Sequence, residues 1–164
     1  MAEIHVTGLA DLQKFLDQLP AKLERNVVRG ALRAGAKLVL AQAIAKVPVK
    51  SSELRNSLKI GTRARGGTVT AAVRTKVFYA RFVEFGTKGH FITAKKGGWL
   101  SFGGIFAKSV WHPGIPKGPH AFMRPALDGQ AQNAVIAAAE YMKRRLATKE
   151  GLDTSDIVIE GDES

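Results

Sequence analysis

No cysteine occurs in the 164 residues, and that single absence removes a disulfide framework, a thiolate metal site and a thiol nucleophile. It fits a reducing compartment. No apolar run approaches the length that crosses a bilayer, and the opening MAEIHVTG has neither the basic n-region nor the apolar h-region of a secretory signal. A protein made and kept in a cytoplasm, with no membrane contact, is expected. Aromatic residues make up only 7% of the chain. Acids are missing from much of its body: from Lys22 to Arg81 the charges are all Lys and Arg apart from Glu24 and Glu53.

The acids gather instead at the end, as Glu150, Asp153, Asp156, Glu160, Asp162 and Glu163. A basic body with an acidic tail results. The net charge of +11 favours long-range attraction to polyanions or to an acidic partner, without naming either. A chain of this length buries roughly two thirds of its unfolded surface, enough for one ordinary core. One domain is the expectation.

Glu3 to Val6 alternates as a short strand does, and Leu9, Leu12, Leu16 and Leu19 recur at helical spacing until Pro20 stops the run. A second helix is predicted over 21–46. Its apolar positions Leu23, Val27, Ala31, Ala34, Leu38, Ala41 and Ala45 alternate steps of four and three, which keeps one stripe toward a partner element. Arg25, Arg29, Arg33 and Lys37 form a second row at steps of four. Like charges so placed repel slightly, so the row reads either as a solvated face or as one turned toward DNA or an acidic neighbour.

Val47 and Pro48 end this helix, and an exposed turn is expected next. Residues 58–63 and 68–74 both alternate, with Val69, Ala71 and Val73 on one side, and Gly66-Gly67 between them supplies the positive φ angles of a tight hairpin. The run VFYARFVEFGT, Val77 to Thr87, satisfies the strand and the helix period alike. It carries Glu84 in an apolar surround, where a carboxylate requires a backbone N–H or a cation such as Arg81 or Arg124. Tyr79, Phe82, Val83 and Phe85 read as core.

Residues 88–119 are unlike the rest, rich in Gly and Lys with Phe91, Ile92, Trp99, Phe102, Phe106 and Trp111 interspersed. The order 92–94, 95–98, 99–102 reads as a second hairpin with a basic tip at Lys95 and Lys96. A loop this long is functional or disordered, and exposed aromatics on it favour an arm that orders against another subunit. The last helix opens near Pro125, which tolerates a missing N–H in a first turn. Its apolar face is Leu127, Ala131, Ala134, Val135, Ala138, Met142 and Leu146, and Lys143, Arg144 and Arg145 complement its C-terminal dipole.

Chemistry finds little purchase. His5, His90, His112 and His120 form no HExxH-like spacing, no second acid partners Glu84, and the Gly-Gly pairs lack the frame of a phosphate or dinucleotide loop. Neither an enzyme nor a cofactor nor a metal site is expected. For nucleic acid the case is one of charge alone: Arg63, Arg65, Arg74, Lys76, Lys88, Lys95, Lys96 and Lys108 suit phosphate contacts without base reading.

YARFVEFGT followed by HPG, then FMRPAL (Phe122 to Leu127) and a long Ala-rich helix, with LRNSLKI at Leu54 to Ile60, resembles the tail-component family of long-tailed bacteriophages. The family's genes sit in the head-to-tail joining module, a role comparable to that of the minor tail protein Z of lambda. Where that family often has Thr-Gly before the Leu-Arg-x-Ser segment, Ser51, Ser52 and Glu53 stand here. The resemblance picks out Tyr79, Glu84, Gly86, Phe122, Arg124 and Pro125 as the structural motif. It implies a virion structural protein of the neck or upper tail that completes the tail or joins it to the head. Its partners would be its own copies, with a hexameric ring as first expectation, neighbouring connector, stopper, tail-terminator or tail-tube proteins, and phage DNA passing non-specifically. Assembly would take place in the host cytoplasm. A free, non-sequence-specific nucleic-acid-binding protein is the alternative.

The expected fold is α+β: a long helix and a C-terminal helix packed on a small, mostly antiparallel β-sheet, with a protruding β-hairpin arm. Residues 1–147 would form one domain, including the arm at 88–119, and 148–164 an acidic, flexible tail.

Overall fold

The computed structural model describes residues 6–48, 52–116, 118, 120–151 and 153–160, leaving aside the side chains of Lys22, Lys96, Lys149 and Glu150. Most of the strand expected at Glu3 to Val6, with His5, lies outside the described residues. Helices α1 (Leu9–Asp17), α2 (Ala21–Lys46), α3 (Ser52–Ser57), α4 (Ala80–Phe85) and α5 (Met123–Glu150) alternate with strands β1 (Lys59–Arg65), β2 (Thr68–Arg74), β3 (His90–Thr93), β4 (Leu100–Phe102), β5 (Ile105–Ala107) and β6 (Ser109–His112). The class is α+β. The described strands form three antiparallel ladders, β1–β2, β3–β6 and β4–β5, the last two within the segment expected as a hairpin arm. The chain divides into two compact units, one made by the residues up to Val77 and from Phe122 on, the other by Phe78–Ala121.

In the first unit α2 packs against α5 and also against the β1–β2 hairpin. Glycines set the helix spacing. A Cβ on Gly35 would overlap the main-chain carbonyl oxygen of Ala134, and one on Gly30 would overlap the phenol of Tyr141. Leu12, Leu16, Val27, Ala139, Leu146 and Ile157 form the core cluster. The β1–β2 hairpin turns at Gly66-Gly67 with φ of 55° and 78°, both in the left-handed region that a two-residue type I′ turn demands. Its register pairs Lys59 with Arg74 and Arg65 with Thr68.

Several sequence expectations change. The exposed turn after Pro48 contains α3, whose Leu54 is buried. Along α2 the stripe holds at Val27 and Ala31, but Leu23, Leu38, Ala41 and Ala45 are exposed and Gly35 and Ala43 are buried instead. The buried positions Val27, Ala31, Gly35 and Ala43 are spaced at multiples of four, so the contact follows the ridge of every fourth residue rather than the alternating four-and-three stripe. On α5, Leu127 is exposed, while Ala126 and Ala139 are buried.

The largest correction concerns the tail. Helix α5 runs to Glu150 and stops at Gly151, which takes φ 66° as a left-handed C-cap. Beyond it Thr154 and Ile157 are buried, at 4% exposure each. The Thr7 N–H donates to the Glu160 carbonyl at 3.1 Å, and the Glu160 N–H donates to Thr7 Oγ1 at 3.2 Å. The Lys143 ammonium donates to the Ile157 carbonyl. The Ser155 hydroxyl and N–H both donate to the Asp153 carboxylate, at 2.6 and 3.0 Å. These bonds, the hydroxyl's first, hold the Asp153 carboxyl below its ordinary pKa. Residues 153–160 therefore belong to the folded unit. Ile157→Ala is expected to cost about 2–4 kcal/mol, as large-to-small core changes do, read as a lower urea midpoint. An unchanged midpoint would return the segment to a passive tail.

Candidate assembly surface

In the second unit, the two stretches that carry the family resemblance meet through their backbones. Helix α4 ends at Gly86, whose φ of 72° and ψ of −179° are open to glycine and hardly to any other residue. Thr87 then pairs with Ile115: its N–H donates to the Ile115 carbonyl at 3.0 Å, and the Ile115 N–H donates to the Thr87 carbonyl at 3.1 Å and to Thr87 Oγ1 at 3.0 Å. The Gly of His-Pro-Gly, Gly114, sits at φ 89°, and a Cβ there would overlap the Thr87 carbonyl oxygen. The His112 ring closes this corner by accepting the Gly114 N–H on Nδ1 at 3.0 Å.

From that base rises an interrupted hairpin. β3 and β6 pair from His90–His112 to Thr93–Ser109, and β4 and β5 pair from Leu100–Ala107 to Phe102–Ile105. Its tip is Gly103-Gly104, with φ of 55° and 79°, while Lys95–Gly97 forms a single 3-10 turn within the outgoing strand. The basic tip expected at Lys95 and Lys96 is thus a bulge. The signal for the real tip was present, since Ser-Phe-Gly-Gly-Ile-Phe repeats the pattern of the first hairpin. The arm does form a hairpin, but with β6 and β5 as partners for β3 and β4.

The arm exposes its aromatics. Phe91 is 68% exposed, Trp99 62%, Phe106 66% and Trp111 54%, with Ile92, Phe102 and Ile105 also exposed. Ring contacts tie some of them together: Phe91 meets Trp111 edge to face at 4.9 Å, and the Lys108 ammonium lies 5.5 Å from the centre of the Trp99 ring. His90 and His112 stack at 5.4 Å. Nine of the chain's twelve aromatics fall between Phe78 and Trp111, and no Asp or Glu occurs between Glu84 and Asp128. A two-stranded ladder alone is marginal in water, and this one leaves its large apolar side chains exposed.

The remaining motif residues divide. Phe122 is fully buried, Pro125 is the third residue of α5 and half-buried, Arg124 is exposed, and Tyr79 and Glu84 are half-buried. The Arg81 guanidinium lies 4.7 Å from the centre of the Phe82 ring. Expected as core, Phe85 is 63% exposed, because a six-residue helix buries little more than Ala80. In the first unit, α2 and α5 flank an apolar groove of about 420 Å³ lined by Leu32, Gly35, Val39, Ala131, Val135 and Met142 among others. Of the cation row, Arg25, Arg33 and Lys37 are exposed and Arg29 is half-buried, with its Nε lacking a hydrogen-bond partner.

Residues 10–86 match the model of the family described as "Bacteriophage HK97-gp10, putative tail-component". The resemblance drawn from LRNSLKI and YARFVEFG is borne out over that span, while HPG and FMRPAL lie beyond it. No curated protein and no solved structure matches the chain. Among the described residues, no helix is long and apolar enough to cross a membrane.

Proposed function

We propose that this chain, similar over residues 10–86 to a family of phage tail components, is a structural protein of the virion neck or upper tail. It completes the tail or joins it to the head by forming a ring around the DNA channel. One observation carries the reading. Seven large apolar side chains, Phe91, Ile92, Trp99, Phe102, Ile105, Phe106 and Trp111, stand exposed on one hairpin that is too thin to bury them itself.

A ring requires a heterologous contact, in which two different patches of the same chain meet head to tail. The arm is one such patch, and the α2–α5 groove, almost wholly apolar, is the other. The arm of one copy fills the groove of the next. Phage connector, stopper, tail-terminator or tail-tube proteins would contact the ring's two rims, and assembly would proceed in the host cytoplasm. The role is architectural, with no catalytic step.

Mass measurement and negative-stain microscopy of the purified protein test this directly. A closed ring, six copies being the first expectation, supports it. A monomer at concentrations well above those of assembly, with its arm resistant to protease, would remove it. The alternative, a free non-specific nucleic-acid binder, draws on the net charge of +11. It would show tight, salt-dependent DNA binding by a monomer.

A further inference from the structure

Every second residue of a strand points to the same face, and the β1–β2 register pairs the odd positions of β1 with the even positions of β2. The hairpin therefore has two unlike faces. One carries the half-buried Ile60, Val69 and Val73 and serves the packing of the hairpin on α2. The other carries Lys59, Arg63, Arg65 and Arg74 with Thr68 and Thr70, all six exposed. No Asp or Glu occurs between Glu53 and Glu84, and among the described residues none of these four cations makes a salt bridge.

Two local penalties fall on this cationic face. Lys59 stands directly opposite Arg74, and like charges so placed destabilise an antiparallel ladder. Gly61 lies within β1, where a glycine weakens a strand and commonly marks a close approach. What approaches is Arg74, whose Cδ and Nε would lie 3.4 Å from a Cβ at Gly61. The glycine thus lets the guanidinium lie across β1, away from Lys59 and in the direction of Arg63. Neither feature helps the fold, and together they build a strip of spread cations.

From Lys59 to Arg65 the strip is about 20 Å long at the usual rise of a strand. Duplex DNA presents a charge for roughly every 1.7 Å of its axis, so cations spread over that length meet several phosphates at once. Arg, Lys and Thr side chains are groups that contact phosphate oxygens without reading bases. A protein partner would require an apolar centre to the patch, and this face has none. None of its residues lines the α2–α5 groove, so the contact between arm and groove does not use it.

We propose that Lys59, Arg63, Arg65 and Arg74, on the outer face of the β1–β2 hairpin, form a sequence-independent contact for the phosphate backbone of duplex DNA. The contact rests on the reading of the protein as a ring around a DNA channel and names the surface that meets the DNA. Salt weakens such binding steeply, which lets DNA slide.

The test measures fluorescence anisotropy of a random-sequence duplex with the full-length protein across a salt series that starts at about 50 mM. Wild type is compared with Arg63→Gln/Arg65→Gln/Arg74→Gln and with Arg25→Gln/Arg33→Gln/Lys37→Gln, which removes the same charge from α2. Oligomer mass and melting temperature are recorded alongside. Each lost phosphate contact lowers the slope of log K against log salt by about 0.9. The hairpin variant should therefore lose roughly 2 to 3 in slope and at least about tenfold in affinity, with fold and oligomer mass intact, while the α2 variant changes less. Lys59→Glu puts an acid opposite Arg74, so it should raise the melting temperature and still weaken DNA binding. A residue that serves the fold alone would not move the two in opposite directions.

An unchanged slope in the hairpin variant overturns the site, as does an equal loss in the α2 variant, which would make net charge the whole cause. Absence of wild-type binding at the lowest salt overturns it too. Competition by polyglutamate equal to that by DNA also overturns it, pointing to an acidic protein partner. If wild type never oligomerises while the hairpin variant still loses DNA, the ring reading fails and this site stands. If the ring forms and the hairpin variant binds as wild type does, the reverse holds.

Discussion

Replacing Gly35 by valine is expected to cost about 3 kcal/mol, at the upper end of what overpacking a well-packed contact costs. In a chain of this size that lowers the melting temperature by roughly 10 °C. Gly35→Ala decides between two effects. Alanine in a helix interior gains about 1 kcal/mol over glycine, but here its Cβ would overlap the Ala134 carbonyl oxygen. A main-chain atom cannot rotate aside, so α2 and α5 must part along the contact that also closes over Val27, Ala139 and Leu146. The overlap wins, and a net loss of about 1 kcal/mol or more is expected. Gly129 is the control. It lies in α5, and no heavy atom stands within 4 Å of where its Cβ would be, so Gly129→Ala should stabilise by roughly 0.5–1 kcal/mol. Denaturant midpoints of the three variants check this. Equal shifts at Gly35 and Gly129 would show that the helices do not approach each other as described.

Assembly is expected to fail completely when either of its two surfaces is spoiled, and to recover in part when the two damaged chains are mixed. Trp99→Ser/Phe106→Ser removes two aromatics that are 62% and 66% exposed. Neither is part of the core, so the melting temperature should hold while the ring is lost. Val39→Asp/Val135→Asp places carboxylates in the α2–α5 groove, where an unpaired charge is strongly disfavoured once an arm covers it. Each variant alone should be monomeric by sedimentation. Mixed, the intact arm of the groove variant fits the intact groove of the arm variant, and the product should be a one-to-one dimer that grows no further. That outcome is specific to a head-to-tail contact. A groove variant that still forms rings would show that the arm sits elsewhere, and an arm variant that does so would remove the arm from the interface altogether.

How far these surfaces could be read in advance differs between the two hairpins. The first was legible because Gly66-Gly67 separates two alternating runs with their apolar sides in register. The second contains the same signal at Gly103-Gly104, yet Gly97-Gly98 and two lysines came first along the chain and drew the pairing toward themselves. Nothing local distinguishes a turn from a bulge when the strands are only three or four residues long. The α5 cations were legible as residues that suit a helix C-terminus. The contact of Tyr141 with α2 was not, because it joins a tyrosine to a glycine more than a hundred positions away.

The sequence by itself determined the local elements whose causes lie within a few residues. The two long helices, the Gly-Gly hairpin, the absence of thiol chemistry, the uneven charge and the family-like aromatic turn are of that kind. Tertiary structure alone decided which residues of α2 face α5, that Thr154 and Ile157 are buried, and that Tyr141 lies over Gly30. The reason is physical. Periodicity and turn chemistry act over one or two turns of chain, whereas burial is set by whichever distant surface comes into contact.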